Sequence, residues 1–126
     1  MAYPQNGKVQ KVQADKWFAA EEAEECLLGS VMFNPQSIER VIDTLKPGHF
    51  SRDIHSKIYE AIIYLYQMDR KCTPSNVKDE LKRRGDWDDV VRFEGEGYLK
   101  LLSIDIATLD TVEDYQYKIL RTARSR

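Results

Sequence analysis

From Ile58 to Tyr66 the only charged residue is Glu60, and Tyr59, Ala61, Ile62, Ile63, Tyr64 and Leu65 surround it. Wound into a helix, this segment is apolar around most of its circumference. A helix of that kind is stable in water only when neighbours pack on several of its faces. The rest of the chain must therefore be arranged around it, and the spacing predicts a central helix over roughly 53–68. The length of 126 residues suits one domain with a single core. Six glycines and four prolines are few for that length, since ordinary chains carry about 12% of the two together. That scarcity favours helices over a turn-rich sandwich or barrel.

The flanking segments follow the same pattern. Ala20, Ala23, Leu27 and Val31 fall at helical spacing, widened by Leu28 and Met32, and predict a first helix from near Ala19 to Phe33. Glu21, Glu22, Glu24 and Glu25 lie in its first turns, where negative charge suits the helix dipole, and read as a solvated helix start. Asn34-Pro35 offers a cap and a proline start for a second helix, with Ile38, Val41, Ile42 and Leu45 on one face and Pro47-Gly48 as its stop. After the central third helix, Cys72-Thr73-Pro74 gives another cap-plus-proline start. The fourth helix turns Val77 and Leu81 inward and Lys78, Lys82, Arg83 and Arg84 outward, and stops at Gly85. Residues 86–97 read as an acidic, glycine-containing loop from which Trp87, Val90 and Val91 tuck back. Tyr98, Leu99, Leu101 and Leu102 predict a short fifth helix, and Thr111 with Asp114 stands at capping-box spacing for the last one. The expectation is an all-α fold, a compact bundle of about six helices around a central apolar helix, with no strand. Residues 1–17, with Gln5, Asn6, Gly7, Lys8, Gln10, Lys11, Gln13 and Lys16, read as a flexible polar tail, and 18–110 as the globular domain.

Several kinds of chemistry find no support. With 19 basic against 21 acidic residues, net −2, the balance argues against a protein whose main work is gripping a phosphate backbone. No apolar run reaches the roughly 18 residues of a membrane span, and Met1 to Gln13 lacks the apolar stretch of a secretory signal. Cytoplasmic is the resulting expectation. Gly7-Lys8 lacks the rest of a phosphate-binding loop, and Gly29-Ser30 lies within a helix pattern. Cys26, His49, His55 and Cys72 are scattered and share no metal-ligand spacing. The two cysteines read as small buried hydrophobes, and both histidines as surface or capping residues. No serine or cysteine stands in an activating context. The expectation is no enzyme, no catalytic residue, no cofactor and no metal.

Two features point to partners. Lys78, Lys82, Arg83 and Arg84 could touch phosphates from a recognition helix, although cations also suit the C-terminal dipole of a solvated helix. The last helix places Val112, Tyr115 and Ile119 on one face and Tyr117, Leu120 and Arg124 on another. One domain buries a single face easily, so Tyr117, Leu120 and Arg124 are the candidates for contact with a partner.

In order along the chain, a series of motifs resembles a known family. Glu22-Ala23-Glu24 leading into Cys26-Leu27-Leu28-Gly29-Ser30, then Asn34-Pro35, is similar to the opening helix and turn of the N-terminal domain of bacterial replicative helicases, the DnaB family. His49-Phe50-Ser51-Arg52-Asp53-Ile54-His55 followed by Ile58-Tyr59-Glu60-Ala61-Ile62 resembles that domain's third-helix signature. Asp79-Glu80-Leu81 with Arg83-Arg84-Gly85, then Gly97-Tyr98-Leu99, then Thr111 through Asp114, Tyr115 and Ile119 continue the series over about residues 20–123. The Lys-rich start and Trp17-Phe18 stand where the family usually has a proline-containing lead-in.

The resemblance implies a non-catalytic interaction domain that forms the collar of a ring hexamer in DNA replication. It pairs into dimers through a helical hairpin, docks the C-terminal domain of the primase and in some systems contacts the loader. Residues 111–126 would then be the first arm of a truncated hairpin, with the second arm, the linker and the ATPase domain outside this polypeptide. The partners so implied are primase, loader and helicase protomers, with homodimer formation through the hairpin, and weak or no direct binding of nucleic acid. The alternative, from the basic cluster, is a small helical DNA-binding regulator using the fourth helix.

Overall fold

A computed structural model describes residues 20–104 and 111–126, and every regular element among them is helical. Helix α1 covers residues 20–33, α2 Asp53–Gln67, α3 Pro74–Arg84, α4 Trp87–Glu94, α5 Tyr98–Ile104 and α6 Val112–Arg124. Two 3-10 turns, Pro35–Arg40 and Pro47–His49, lie between α1 and α2. The proposed tail, residues 1–17, lies outside the described residues.

Helix α2 is the centre. Ile54, Ile58, Tyr59, Ala61, Ile62 and Leu65 are buried, and Ile63 and Tyr66 pack partly against the same core. α3 and the Pro47–His49 turn lie against it, α3 in turn meets α4 and α5, and α6 meets both 3-10 turns. The Tyr59 hydroxyl donates to the Leu45 carbonyl at 2.8 Å, so the one polar atom of that buried ring is satisfied. Each large side chain buried in this way contributes on the order of 1.5–3 kcal/mol.

The second predicted helix closes instead as the 3-10 turn Pro35–Arg40 with turns after it. The Asn34 side chain does not cap it; the Ser37 hydroxyl donates to the Asn34 carbonyl at 2.7 Å. Bonds from Val41 N to Ile38 O (3.1 Å) and from Ile42 N to the same oxygen (2.9 Å) mix the two helical spacings. The segment therefore alternates i+3 with i+4 bonds as far as Leu45 and does not settle into a regular α-helix before Pro47. Ile38, Val41 and Leu45 are buried as the spacing predicts.

The segment 86–97, expected as a loop, is partly helical. Its first part is helix α4, with Trp87 and Val90 buried and Val91 partly buried. Asp88 and Asp89 occupy its first turn and Arg92 its last, each at the end where its charge suits the dipole. Lys57 of α2 anchors the start, 3.2 Å from Asp89 and 3.7 Å from Asp86. α3 ends as expected: Gly85 is left-handed (φ 81) and Asp86 N bonds the Leu81 carbonyl at 2.8 Å.

α6 starts at Thr111 with a full capping box to Asp114. Its buried residues Val112, Tyr115, Ile119 and Thr122 share one face. Beyond its end the Arg126 guanidinium donates to the carbonyls of Gly48, His49 and Phe50 at 2.9–3.3 Å.

Candidate protein-docking surfaces

On α6, Tyr117, Leu120 and Arg124 stand at i, i+3 and i+7 and so share a stripe. Tyr117 is 63% exposed and Arg124 exposed, while Leu120 packs partly on the core. Leu120 and Arg124 line a groove of about 400 Å³ with Thr44, His49 and Ala123, between α6 and the segment that joins the 3-10 turns. Tyr117 lies nearer the start of the same helix and is not part of the groove lining.

The basic residues of α3 are arranged differently from an open cationic face. Glu80, only 5% exposed, receives Arg83 through Nε and Nη2 at 2.7 and 2.6 Å and Arg84 through Nε at 2.6 Å. Both guanidinium groups stack on the Tyr64 ring of α2, 4.9 and 5.5 Å from its centre. The hydrogen bond from Arg83 holds the Glu80 carboxyl below its ordinary value. Lys78 sits 5.2 Å over the Trp87 ring, and Lys82 is exposed. Three of the four basic residues thus join α3 to α2 and α4, and the alternative of a DNA-reading helix is not favoured.

The largest departure from the sequence reading is a buried polar chain linking α1, α2 and α5. His55 is fully buried and Glu24 is 1% exposed, so neither His55 as a surface residue nor the whole of Glu21–Glu25 as a solvated start is correct. Glu24 Oε1 lies 2.6 Å from His55 Nδ1, and Glu24 Oε2 accepts from the backbone N–H and hydroxyl of Ser51, both at 2.7 Å. His55 Nε2 lies 2.6 Å from the Tyr98 hydroxyl, which is 2.8 Å from Glu25 Oε2. Burial pushes the Glu24 carboxyl up, but hydrogen bonds from His55 and Ser51 outweigh it and leave the group below its ordinary value. Burial, then Glu25, raises the Tyr98 phenol far above its ordinary range. The signal was present in the sequence: Glu24 falls inside the stripe of Ala20, Leu27, Leu28 and Val31, and His55 lies between the buried Ile54 and Ile58.

Of the cysteines, Cys72 is buried, its thiol raised by burial and placed 3.6 Å from the Ile62 carbonyl, whereas Cys26 is only half-buried. Among the described residues no three His, Cys, Asp or Glu side chains converge to hold a metal ion, and no helix is long and apolar enough to cross a membrane.

A small all-helical domain, with its polar clusters spent on joining helices and with a groove and an exposed aromatic on its last helix, defines an interaction module. Residues 18–121 match the model of the DnaB-like helicase N-terminal domain. The chain is 31% identical over 104 residues to the replicative DNA helicase DnaB of Rhodothermus marinus, covering 80% of this chain and 10% of that protein. It is 33% identical over 95 residues to the DnaB of Mycobacterium leprae, covering 75% of this chain and 15% of the relative. The crystal structure of the N-terminal domain of DnaB helicase from Mycobacterium tuberculosis superposes with a TM-score of 0.71 at 31% identity, covering 80% of this chain and 68% of that one. The chain belongs to the family of DnaB-like helicase N-terminal domains. It spans about 10% and 15% of the length of these two relatives.

Proposed function

We propose that this domain is a non-catalytic docking and oligomerisation module of a replicative helicase, acting in the cytoplasm as part of the hexamer collar. Its partners in this reading are neighbouring helicase protomers and the C-terminal domain of the primase, with the loader as a further one, and direct contact with nucleic acid is weak. The reading is carried by the family match over residues 18–121 together with the matching all-helical structure. The stripe Tyr117, Leu120 and Arg124 is the proposed contact, because it pairs an exposed aromatic with a groove that a partner side chain could enter. In this reading residues 111–126 form the first arm of a helical hairpin.

Calorimetric titration with the C-terminal domain of the cognate primase tests the proposal. Saturable heat that is weakened by Tyr117→Ala and Arg124→Ala is the expected result. Failure of primase domain, loader and helicase alike to bind at high micromolar concentration would sink it.

A further inference from the structure

The contacts within the Glu24–His55–Tyr98–Glu25 chain can be counted in protons. Three links must each carry one hydrogen: Glu24 Oε1 to His55 Nδ1, His55 Nε2 to Tyr98 Oη, and Tyr98 Oη to Glu25 Oε2. A neutral imidazole supplies one N–H and the phenol one O–H. With both carboxylates ionised there are two hydrogens for three links. If Tyr98 donates to Glu25, His55 needs protons on both nitrogens. If Tyr98 donates to His55, the Glu25 carboxyl must itself be protonated to face the phenol oxygen. If His55 instead carries its one proton on Nε2, the missing hydrogen falls on Glu24. Every arrangement that satisfies the three links contains one proton more than the ordinary neutral-pH complement of these side chains.

We propose that the Glu24–His55–Tyr98–Glu25 chain traps one proton on folding and is a proton-linked latch that fastens α1 and α5 to α2. The proton belongs to the group and not to any single residue. The surroundings are mixed in charge. Arg52, just ahead of α2, is ion-paired with Glu94 at the end of α4, and Glu21 of α1 also faces Arg52. Ser51 supplies two neutral donors to Glu24. The links of His55 to Glu24 and to Tyr98 are buried, and that of Tyr98 to Glu25 is partly buried; a buried link left without its hydrogen would set two acceptor lone pairs against each other, which costs more in a low dielectric than in water. The raised phenol keeps its own proton throughout the neutral range, so it is the extra proton that responds to pH.

Above about pH 6.5 an unfolded chain holds a neutral imidazole and ionised carboxylates, so the folded state binds one more proton. Stability then falls as pH rises, and the unfolding constant increases by up to tenfold per pH unit until the latch gives up its proton. Glu25→Gln removes the requirement without removing the link. The amide can donate to Tyr98, Tyr98 to His55 Nε2 and His55 Nδ1 to Glu24, three hydrogens from neutral groups.

The test is urea unfolding of wild type and Glu25→Gln from about pH 6 to pH 9. The expected result is a rising unfolding constant in the wild type and a flatter profile in the variant, with any contribution of His49 common to both. Parallel profiles overturn the proposal. A second measurement needs no variant: ring-nitrogen and carboxyl-carbon NMR shifts of the folded wild type near neutral pH. One extra proton on His55 or Glu25, beside an ionised Glu24, supports the latch. A singly protonated His55 beside two ionised carboxylates refutes it.

Discussion

At Gly29 helix α1 has no room for a side chain. A methyl placed on its Cα would lie 2.0 Å from the Leu102 carbonyl oxygen, so the α1 and α5 backbones touch there. Gly29→Ala must push α5 away and is expected to cost about 1–3 kcal/mol or more, read as a lower urea midpoint. Gly97→Ala, with nothing within 4 Å, should shift it by less than about 0.5 kcal/mol. Equal effects of the two would show that the close approach carries no energy. The Glu24 carboxyl titrates lower when folded than its ordinary 4.5, so the folded state binds fewer protons there than the unfolded chain. That contribution is present above about pH 4.5 and is lost as pH falls through the folded value. Glu24→Gln should therefore flatten the acid limb of a stability–pH curve while lowering its plateau. An unchanged acid limb would show that Glu24 is not the group being protonated. The stripe of α1 and the motif Gly29-Ser30 were legible in the sequence, but the partners of Glu24 were not. His55 is 31 residues away and Tyr98 is 43 beyond that, and helical periodicity reports which side faces inward, not what waits there.

Elements were legible in proportion to their length and apolar content. α2 announces itself because almost every position from Ile58 to Leu65 is apolar, and the structure buries five of them outright. Ile62→Ala is expected to cost about 2–5 kcal/mol by opening a cavity around a fully buried side chain; an unchanged melting temperature would contradict its central place. The sequence of α4 reads as a loop because eight residues offer barely two helical turns, and Asp88 and Asp89 resemble loop residues away from the context of a helix start. The segment after Asn34 departs from its pattern in the opposite direction. Its apolar spacing is helical and buries Ile38, Val41 and Leu45, yet its backbone bonds alternate between i+3 and i+4 and form 3-10 turns. In both places apolar spacing reports which residues face inward but not which backbone bonds close the turn. α3 shows the same limit for charge. Arg83, Arg84 and Glu80 were visible, but only the fold brings Tyr64 beneath the two guanidinium groups and turns a basic run into a helix joint.

For the whole molecule, the docking proposal separates surface from core more sharply than any single stability measurement. Leu120 packs partly on the core, so Leu120→Ala mixes lost packing with lost contact. Tyr117, 63% exposed on the α6 side away from Val112, Tyr115 and Ile119, does not. Tyr117→Ala should therefore change stability by less than about 0.5 kcal/mol and leave the helical circular dichroism intact. If the ring anchors a partner, its removal should weaken association by about 1–2 kcal/mol, a factor of roughly 5–30 in dissociation constant. Phe93 on α4, also aromatic and 61% exposed, supplies the control, because Phe93→Ala removes as much exposed ring from another helix. Loss of binding in Tyr117→Ala alone, by calorimetry against the primase domain or by sedimentation of the domain itself, would tie association to α6. Equal loss in both variants would mean that partners recognise exposed aromatics without regard to place, and would remove the argument that the last helix is the docking element.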